Sequence, residues 1–380
     1  MGIDLTGFRV HAQVDASAVA HNLERLRALL DPLPAPRPKI WATVKADAYG
    51  HGLQRVLPGL DKADGLAVNQ LADAHACRAA GWRGPILVYG GLLDSAETQK
   101  LDMPGLHLAL SHKAQIDWLA DSFAKADQPA YPPWVWLRFT GDVGFTGFDE
   151  ADYAAAYARC AQLAAQGLIA GVGHLNHYGR AELPDGLTHA DRRFQALVRD
   201  LPGPRSCCNS AALLRHPDAA RGTDWVRPGL ALYGASPLPD TEGATLGLRP
   251  AMSLHSRIVG IRDVRAGEHI GYRGAIEAAD AMRIGMVACG YGDGYPRHAP
   301  RGTPVYVDGQ PTVTLGAVTM DLIPVDLTGL PHVAIGAPVL LWGTPALPVE
   351  VVARHMGTIA AELLTSLTPR VPVIPVDGVR

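Results

Sequence analysis

From Ala12 to Gly234 short apolar runs alternate with longer amphipathic ones, and no other feature constrains the fold of this chain as much. Such alternation is the pattern of repeated strand–helix units that build a parallel sheet. The apolar runs fall at 41–45, 65–68, 86–89, 106–110, 134–139, 169–175, 205–209 and 224–227. An opening helix is expected at 17–30, and helical patterns lie between most of the runs, notably at 70–80, 150–165 and 190–201, with Gly81 and Gly167 where helices stop. Eight units predict a closed (β/α)8 barrel of the TIM type, with an open doubly wound sheet as the alternative.

After about Leu238 the texture changes to short β-branched runs separated by Gly and Pro, at 305–307, 312–315, 322–325 and 339–342. That is the pattern of a mostly antiparallel β domain. The expected layout is a cofactor-binding barrel over 12–237, a linker at 237–243 and a β domain over 244–380, to which an N-terminal strand at 1–11 could add. At 380 residues the chain is long enough for both cores.

A formal net charge of -3, with Lys and Arg scattered, argues against a nucleic-acid partner, which would need a basic face. The five cysteines, Cys77, Cys160, Cys207, Cys208 and Cys289, show no metal-type spacing and fit reduced thiols in the cytoplasm. No metal site is expected. The start lacks a basic region followed by an apolar stretch, and no run reaches membrane-spanning length, so neither secretion nor membrane insertion is expected.

Barrel enzymes carry their active groups at the carboxyl ends of the strands, with a phosphate site in the loops after the last two. VKADAYGHG at 44–52 places Lys45 at the end of the first run and Tyr49 four residues later. That spacing shares a side in a helical turn, and Gly50 and Gly52 let a ligand approach the backbone. Taken alone, Lys45 reads as a solvated side chain, and its company along the chain is what points to chemistry. The seventh run ends in Asn209-Ser210 and the eighth in Arg227-Pro228-Gly229-Leu230, and both loops offer backbone N–H groups to an anion. A lysine able to form a Schiff base, together with a phosphate cradle, points to pyridoxal 5′-phosphate, whose ring is an electron sink. Arg227 stays protonated at ordinary pH, so it would keep the pyridine nitrogen free of a proton and limit that sink. Further on, Tyr272 stands between glycines and Tyr291 lies in the Gly- and Tyr-rich turn 290–297, where tyrosines also serve as loop anchors.

In chain order, VKADAYGHG, Asn209-Ser210, RPGLALYG at 227–234, GYGDGYPR at 290–297 and Met320-Asp321 resemble the motifs of the alanine racemases, and the resemblance covers nearly the whole chain. It implies a pyridoxal-phosphate enzyme that interconverts L- and D-alanine and so supplies D-alanine for a bacterial cell wall. It implies Lys45 as cofactor anchor and as base toward the D enantiomer, with Tyr272 as base toward the L enantiomer from the opposite face. Tyr272 would come from a second subunit, so the active sites of a homodimer would be shared. Tyr49, Ser210 beside Asn209, and the amides of Gly229 and Leu230 would hold the phosphate. His174 would contact the ring, Arg227 the pyridine nitrogen, and Tyr291 and the Met320 amide the substrate. The plain structural alternatives are a core histidine at His174, core filler at Met320 and a helix N-cap at Ser210.

The chain departs from the family in two places. The family pattern resembling K-x-D-T-G-M-x-R-x-G is Arg138-Phe139-Thr140-Gly141-Asp142-Val143-Gly144-Phe145-Thr146-Gly147 here. Arg138 stands at the lysine position, which excludes carbamylation, and Phe145 stands at the position of the arginine that meets the tyrosine and the substrate carboxylate. Arg138 is therefore the candidate replacement for the lost guanidinium. Near the end, Ala361 precedes Glu362 where the family commonly has a tyrosine, which could admit a substrate larger than alanine. The competing readings are a related D-amino-acid lyase or aldolase and a non-catalytic regulatory relative that binds the cofactor.

Overall fold

In the computed structural model, which describes residues 7–124, 129–274 and 276–377, the chain forms a closed parallel barrel and a second, mostly antiparallel sheet. The barrel strands are β2 (Lys39–Thr43), β3 (Gly65–Val68), β4 (Ile86–Val88), β5 (Leu106–Leu110), β6 (Trp134–Arg138), β7 (Gly171–Leu175), β8 (Arg205–Asn209) and β9 (Trp225–Arg227). They close in sequence order, with β9 pairing back onto β2 through Lys39 and Trp225. The eight apolar runs are these eight strands, and the expected fold class is borne out.

Side chains two apart on a strand share a face, so each barrel strand divides between interior and exterior. The interior floor is a cluster of Trp41, Ala67, Leu87, Ala109, Trp136, Leu175 and Trp225. Trp41 and Trp225 stack at 3.9 Å, and glycines opposite the indoles make room for them. A Cβ on Gly65 would lie 2.2 Å from the Trp41 ring, and one on Gly173 2.7 Å from Trp136. The packed floor blocks the barrel as a pore, so a ligand enters from the carboxyl ends alone.

A strand β1 spans Val10–Val14 and overlaps the one expected at 1–11 at Val10 and His11, while residues 1–6 lie outside the described residues. It pairs antiparallel with β10 (Met252–Val264) and parallel with Val373–Pro375, so the first and the last of the described strands meet in the second sheet. The other strands there include Met282–Val287, Pro304–Val307, Gln310–Val313, Ile323–Asp326 and Pro338–Trp342. The linker is tied down. The buried Glu350 carboxylate accepts the Gly243 N–H at 2.8 Å, and Leu238 is buried. All five cysteines are buried and unpaired. Among the described residues no helix is long and apolar enough to cross a membrane.

Three histidines are held neutral by this packing. Burial pushes His51, His107 and His255 down to about 4, with the Lys39 charge adding to the effect at His107 and His11 at His255. In the unfolded chain they titrate near 6.5, so the unfolded state takes up protons first as the pH falls. The stability they contribute is therefore complete above about pH 6.5 and is lost as the pH falls toward 4. For the fully buried His51 this amounts to at most about 3 kcal/mol. Urea midpoints are expected to drop between pH 7 and pH 4.5, and an unchanged midpoint would contradict this account.

Candidate active site

Above the tryptophan floor lies a cavity of about 460 Å³, lined by Thr43, Lys45, Tyr49, Tyr89, Arg138, His177 and Arg227, among others. The strand period explains its lining. Thr43 and Lys45 follow Trp41 at two-residue steps, Tyr89 follows Leu87, Arg138 follows Trp136, His177 follows Leu175, and Arg227 follows Trp225.

Lys45 opens a turn whose handedness the sequence did not suggest. Ala46, Asp47, Ala48 and Tyr49 have φ of 53°, 50°, 57° and 53°, a left-handed helical turn built of four non-glycine residues. Each such residue costs about 1–2 kcal/mol relative to the right-handed form, so its surroundings must hold it. The Ala48 and Gly50 N–H groups donate to the carbonyls of Val44 and Ala46, each at 2.9 Å. The Asp47 carboxylate accepts the Leu53 N–H at 2.8 Å, and the buried His51 bonds the Tyr49 carbonyl through Nδ1 at 2.9 Å. Gly50 packs so tightly on the helix Ala360–Thr365 that a Cβ would lie 2.1 Å from the Leu364 oxygen. Lys45 and Tyr49 do share a side, since both line the cavity.

Desolvation and then the Arg138 charge lower the Lys45 pKa, which enlarges the neutral fraction able to act as nucleophile or base. Arg227 is buried and held by neutral oxygens alone: Ser206 Oγ at 2.8 Å, the Asn176 carbonyl at 2.5 Å and the Cys207 carbonyl at 3.0 Å. Arg138 has a buried Nε without a hydrogen-bond partner among the described residues. Among the described residues the cavity lining thus carries three cationic side chains and no carboxylate. Such a cavity favours anionic ligands.

The fit to a phosphate-bearing cofactor can be read at Gly229. Ser210 Oγ accepts from the Gly229 N–H at 2.9 Å and from the Ala231 N–H at 3.3 Å, which leaves its own proton free to donate outward. A Cβ on Gly229 would lie 2.5 Å from the Tyr49 hydroxyl, so a bare backbone is needed for these groups to converge. Asn209 caps the helix Ser210–Arg215 by accepting the Ala212 N–H at 3.0 Å and donates to the Tyr178 carbonyl at 3.0 Å. The helix cap is thus Asn209, and the Ser210 hydroxyl is left for the cavity.

His174 is not brought to the cavity, and the expectation that it contacts a cofactor ring is corrected. It lies one residue out of phase with Leu175, so its ring leaves the barrel on the helix side. There Nδ1 meets the Tyr153 hydroxyl at 3.1 Å, and Nε2 the Leu201 carbonyl at 3.2 Å. His177 lines the cavity instead. Desolvation, then the charges of Arg227, Arg138 and Lys45, push its pKa far down, so it faces the cavity as a neutral ring at neutral pH. Counting in twos from Leu175 would have found it.

Tyr272, Tyr291 and Met320 do not line this cavity either. Tyr272 is 77% exposed in the short turn Tyr272–Gly274. Phe145 is 86% exposed on the loop after β6. Ala361 is half-buried in the helix that packs on the Lys45 turn, and Ile359 just before it reaches the cavity.

The family model described as "Alanine racemase, N-terminal domain" matches residues 14–237, and "Alanine racemase, C-terminal domain" matches residues 251–375. The chain belongs to the alanine racemase family. The alanine racemase of Bordetella petrii is 44% identical over 374 residues, covering 96% of this chain and 98% of its own length. That of Acidovorax sp. is 44% identical over 372 residues, covering 96% and 98%. The crystal structure of biosynthetic alanine racemase from Pseudomonas aeruginosa superposes with a TM-score of 0.88 at 38% identity, covering 97% of this chain and 99% of that one. This alanine racemase-family chain is therefore an isomerase, an amino-acid racemase.

Proposed function

We propose that the chain interconverts L- and D-alanine with pyridoxal 5′-phosphate in the cytoplasm, as a homodimer whose active sites each join Lys45 of one chain to the partner's Tyr272. One observation carries this reading: the anchoring lysine and the anion contacts line a single cavity, while Tyr272 stands exposed on the other domain, free to reach a second chain. When bound, the cofactor supplies a carbonyl for Lys45 and a ring that draws electrons from the substrate α-carbon, making its proton removable.

The chain's residues supply the rest. Tyr49 Oη, Ser210 Oγ and the Leu230 amide hold the phosphate, and the Gly229 N–H, bonded to Ser210 Oγ, aims that hydroxyl at it. Arg227 cannot accept a proton, so it favours an unprotonated pyridine nitrogen and a moderate electron pull. His177, neutral, adds no competing charge. Lys45 Nζ takes or returns the α-proton on one face, and Oη of the partner's Tyr272 does so on the other. Removal on one face with return on the other inverts the centre.

Arg138 binds the substrate carboxylate. It is a guanidinium inside the cavity with an unpartnered Nε, on the strand whose following loop lacks the family's arginine. Arg138→Ala is expected to lower kcat/KM for alanine by about a hundredfold, the scale of removing one partner from a desolvated charge pair. Near-normal turnover in that variant would remove Arg138 from the site.

The function is tested by chiral chromatography of L-alanine, D-alanine and larger L-amino acids incubated with the cofactor-loaded protein. Enantiomers have equal free energies in water, so either form of alanine is expected to run to an equal mixture. No D-alanine from L-alanine would refute the reading. Turnover of larger side chains is expected where Ala361 replaces a bulky ring.

A further inference from the structure

The turn at 290–297 is built around a buried charge that the reaction described above does not use. Asp293 is 1% exposed and sits between two guanidinium groups, with Arg9 Nη2 at 3.4 Å and Arg370 Nε at 3.2 Å. Its Oδ2 also accepts the Gly290 N–H at 3.0 Å. Both arginines reach on to Asp321, Arg370 at 2.6 Å and Arg9 at 3.6 Å, and Arg9 donates to the Asp321 carbonyl at 2.8 Å. Arg9 and Arg370 thus bridge Asp293 to Asp321 and tie together four distant segments: the approach to β1, the turn after Gly290, the loop at 319–322 and the segment around Arg370.

The main chain closes the same knot. The Tyr291 N–H donates to the Thr319 carbonyl and the Gly292 N–H to the Met320 carbonyl, both at 3.0 Å, and Thr368 Oγ1 donates to the Gly292 carbonyl at 2.8 Å. Glycine at 290 is a requirement of space, and a side chain at 292 would have to displace the Arg370 guanidinium. A Cβ on Gly290 would lie 2.3 Å from the Thr319 oxygen, and one on Gly292 2.4 Å from the Arg370 guanidinium. What the knot presents outward is Tyr291, 40% exposed, beside Met320, 51% exposed. The Met320 N–H has no hydrogen-bond partner among the described residues.

We propose that Asp293 is a positioning residue: with Arg9 and Arg370 it locks the two loops together, so that Tyr291 and the Met320 amide form one rigid edge facing the substrate in the active site of the partner subunit. This rests on the reading above, in which the second domain completes the partner's cavity. Removing the buried charge leaves two guanidinium groups close together with one anion fewer. The loops then part, and small displacements of groups that orient a substrate are costly.

The test uses the cofactor-loaded dimer. Asp293→Asn keeps the side chain's shape and an acceptor for Gly290 while removing the charge. KM for L-alanine is expected to rise about tenfold with a smaller change in kcat, and with bound-cofactor absorbance and dimer sedimentation unchanged. Tyr291→Phe is expected to raise KM similarly, and the double variant to add little, since both act through one contact. Arg370→Lys, which keeps a charge but loses the fork, should fall between, and it carries the same comparison if Asp293→Asn fails to fold. Unchanged KM in Asp293→Asn with a lowered Tm, while Tyr291→Phe raises KM, would overturn the proposal and leave the cluster as a structural tie. Unchanged KM in Tyr291→Phe would remove Tyr291 from the substrate contacts, and the proposal with it.

Discussion

Lys45→Ala is expected to abolish racemisation in both directions and to remove the visible absorption of lysine-bound cofactor. Two losses coincide in this variant. The amine that anchors the cofactor is gone, and so is the base on one face, whose share alone is worth about 10²- to 10⁴-fold. The fold should survive, because the left-handed turn that carries Lys45 is held by its own backbone bonds, by Asp47 and by the helix behind Gly50, none of which uses the lysine side chain. A thermal midpoint near that of the parent would separate chemistry from unfolding. Measurable racemisation by Lys45→Ala would contradict the role given to this residue.

Tyr272→Phe should produce a loss of about 10²- to 10⁴-fold in racemisation, and a lopsided one. Lys45 remains on its face, so one alanine enantiomer should still exchange its α-proton with solvent deuterium while the other becomes nearly inert. Proton NMR of each enantiomer in D2O reads the two directions separately. Since Tyr272 is exposed and touches no core, stability should change little. Equal slowing of exchange from both enantiomers would argue against two opposed bases.

Much of this was legible in the sequence because a barrel strand writes its geometry every second residue. Trp41, Trp136 and Trp225 mark the interior, and Lys45, Arg138 and Arg227 follow in phase at the carboxyl ends. The same rule places His174 outside and His177 inside, whereas the resemblance that put His174 at the ring took no account of phase. The left-handed turn was hidden for a physical reason: alanine and tyrosine do not favour it, and part of what stabilises it comes from Leu53, His51 and Leu364, which lie outside the turn. β10 was not legible either. Its partners change along its length, with a register shift between Ile258 and Gly260, so its 13 residues show no clean alternation. Tyr272, Tyr291 and Met320 are proposed from motif and not from pattern, since each is exposed in a short turn or loop of the second domain.

The central claim is that one active site is built from two chains, and a hybrid dimer tests it most directly. Lys45→Ala and Tyr272→Phe chains are co-expressed with different tags, and the mixed dimer is purified through both. If Lys45 and Tyr272 meet across the dimer, one site of the hybrid lacks both residues and the other has both, so about half the wild-type activity should return from two nearly inactive parents. A hybrid no more active than its parents would contradict the account.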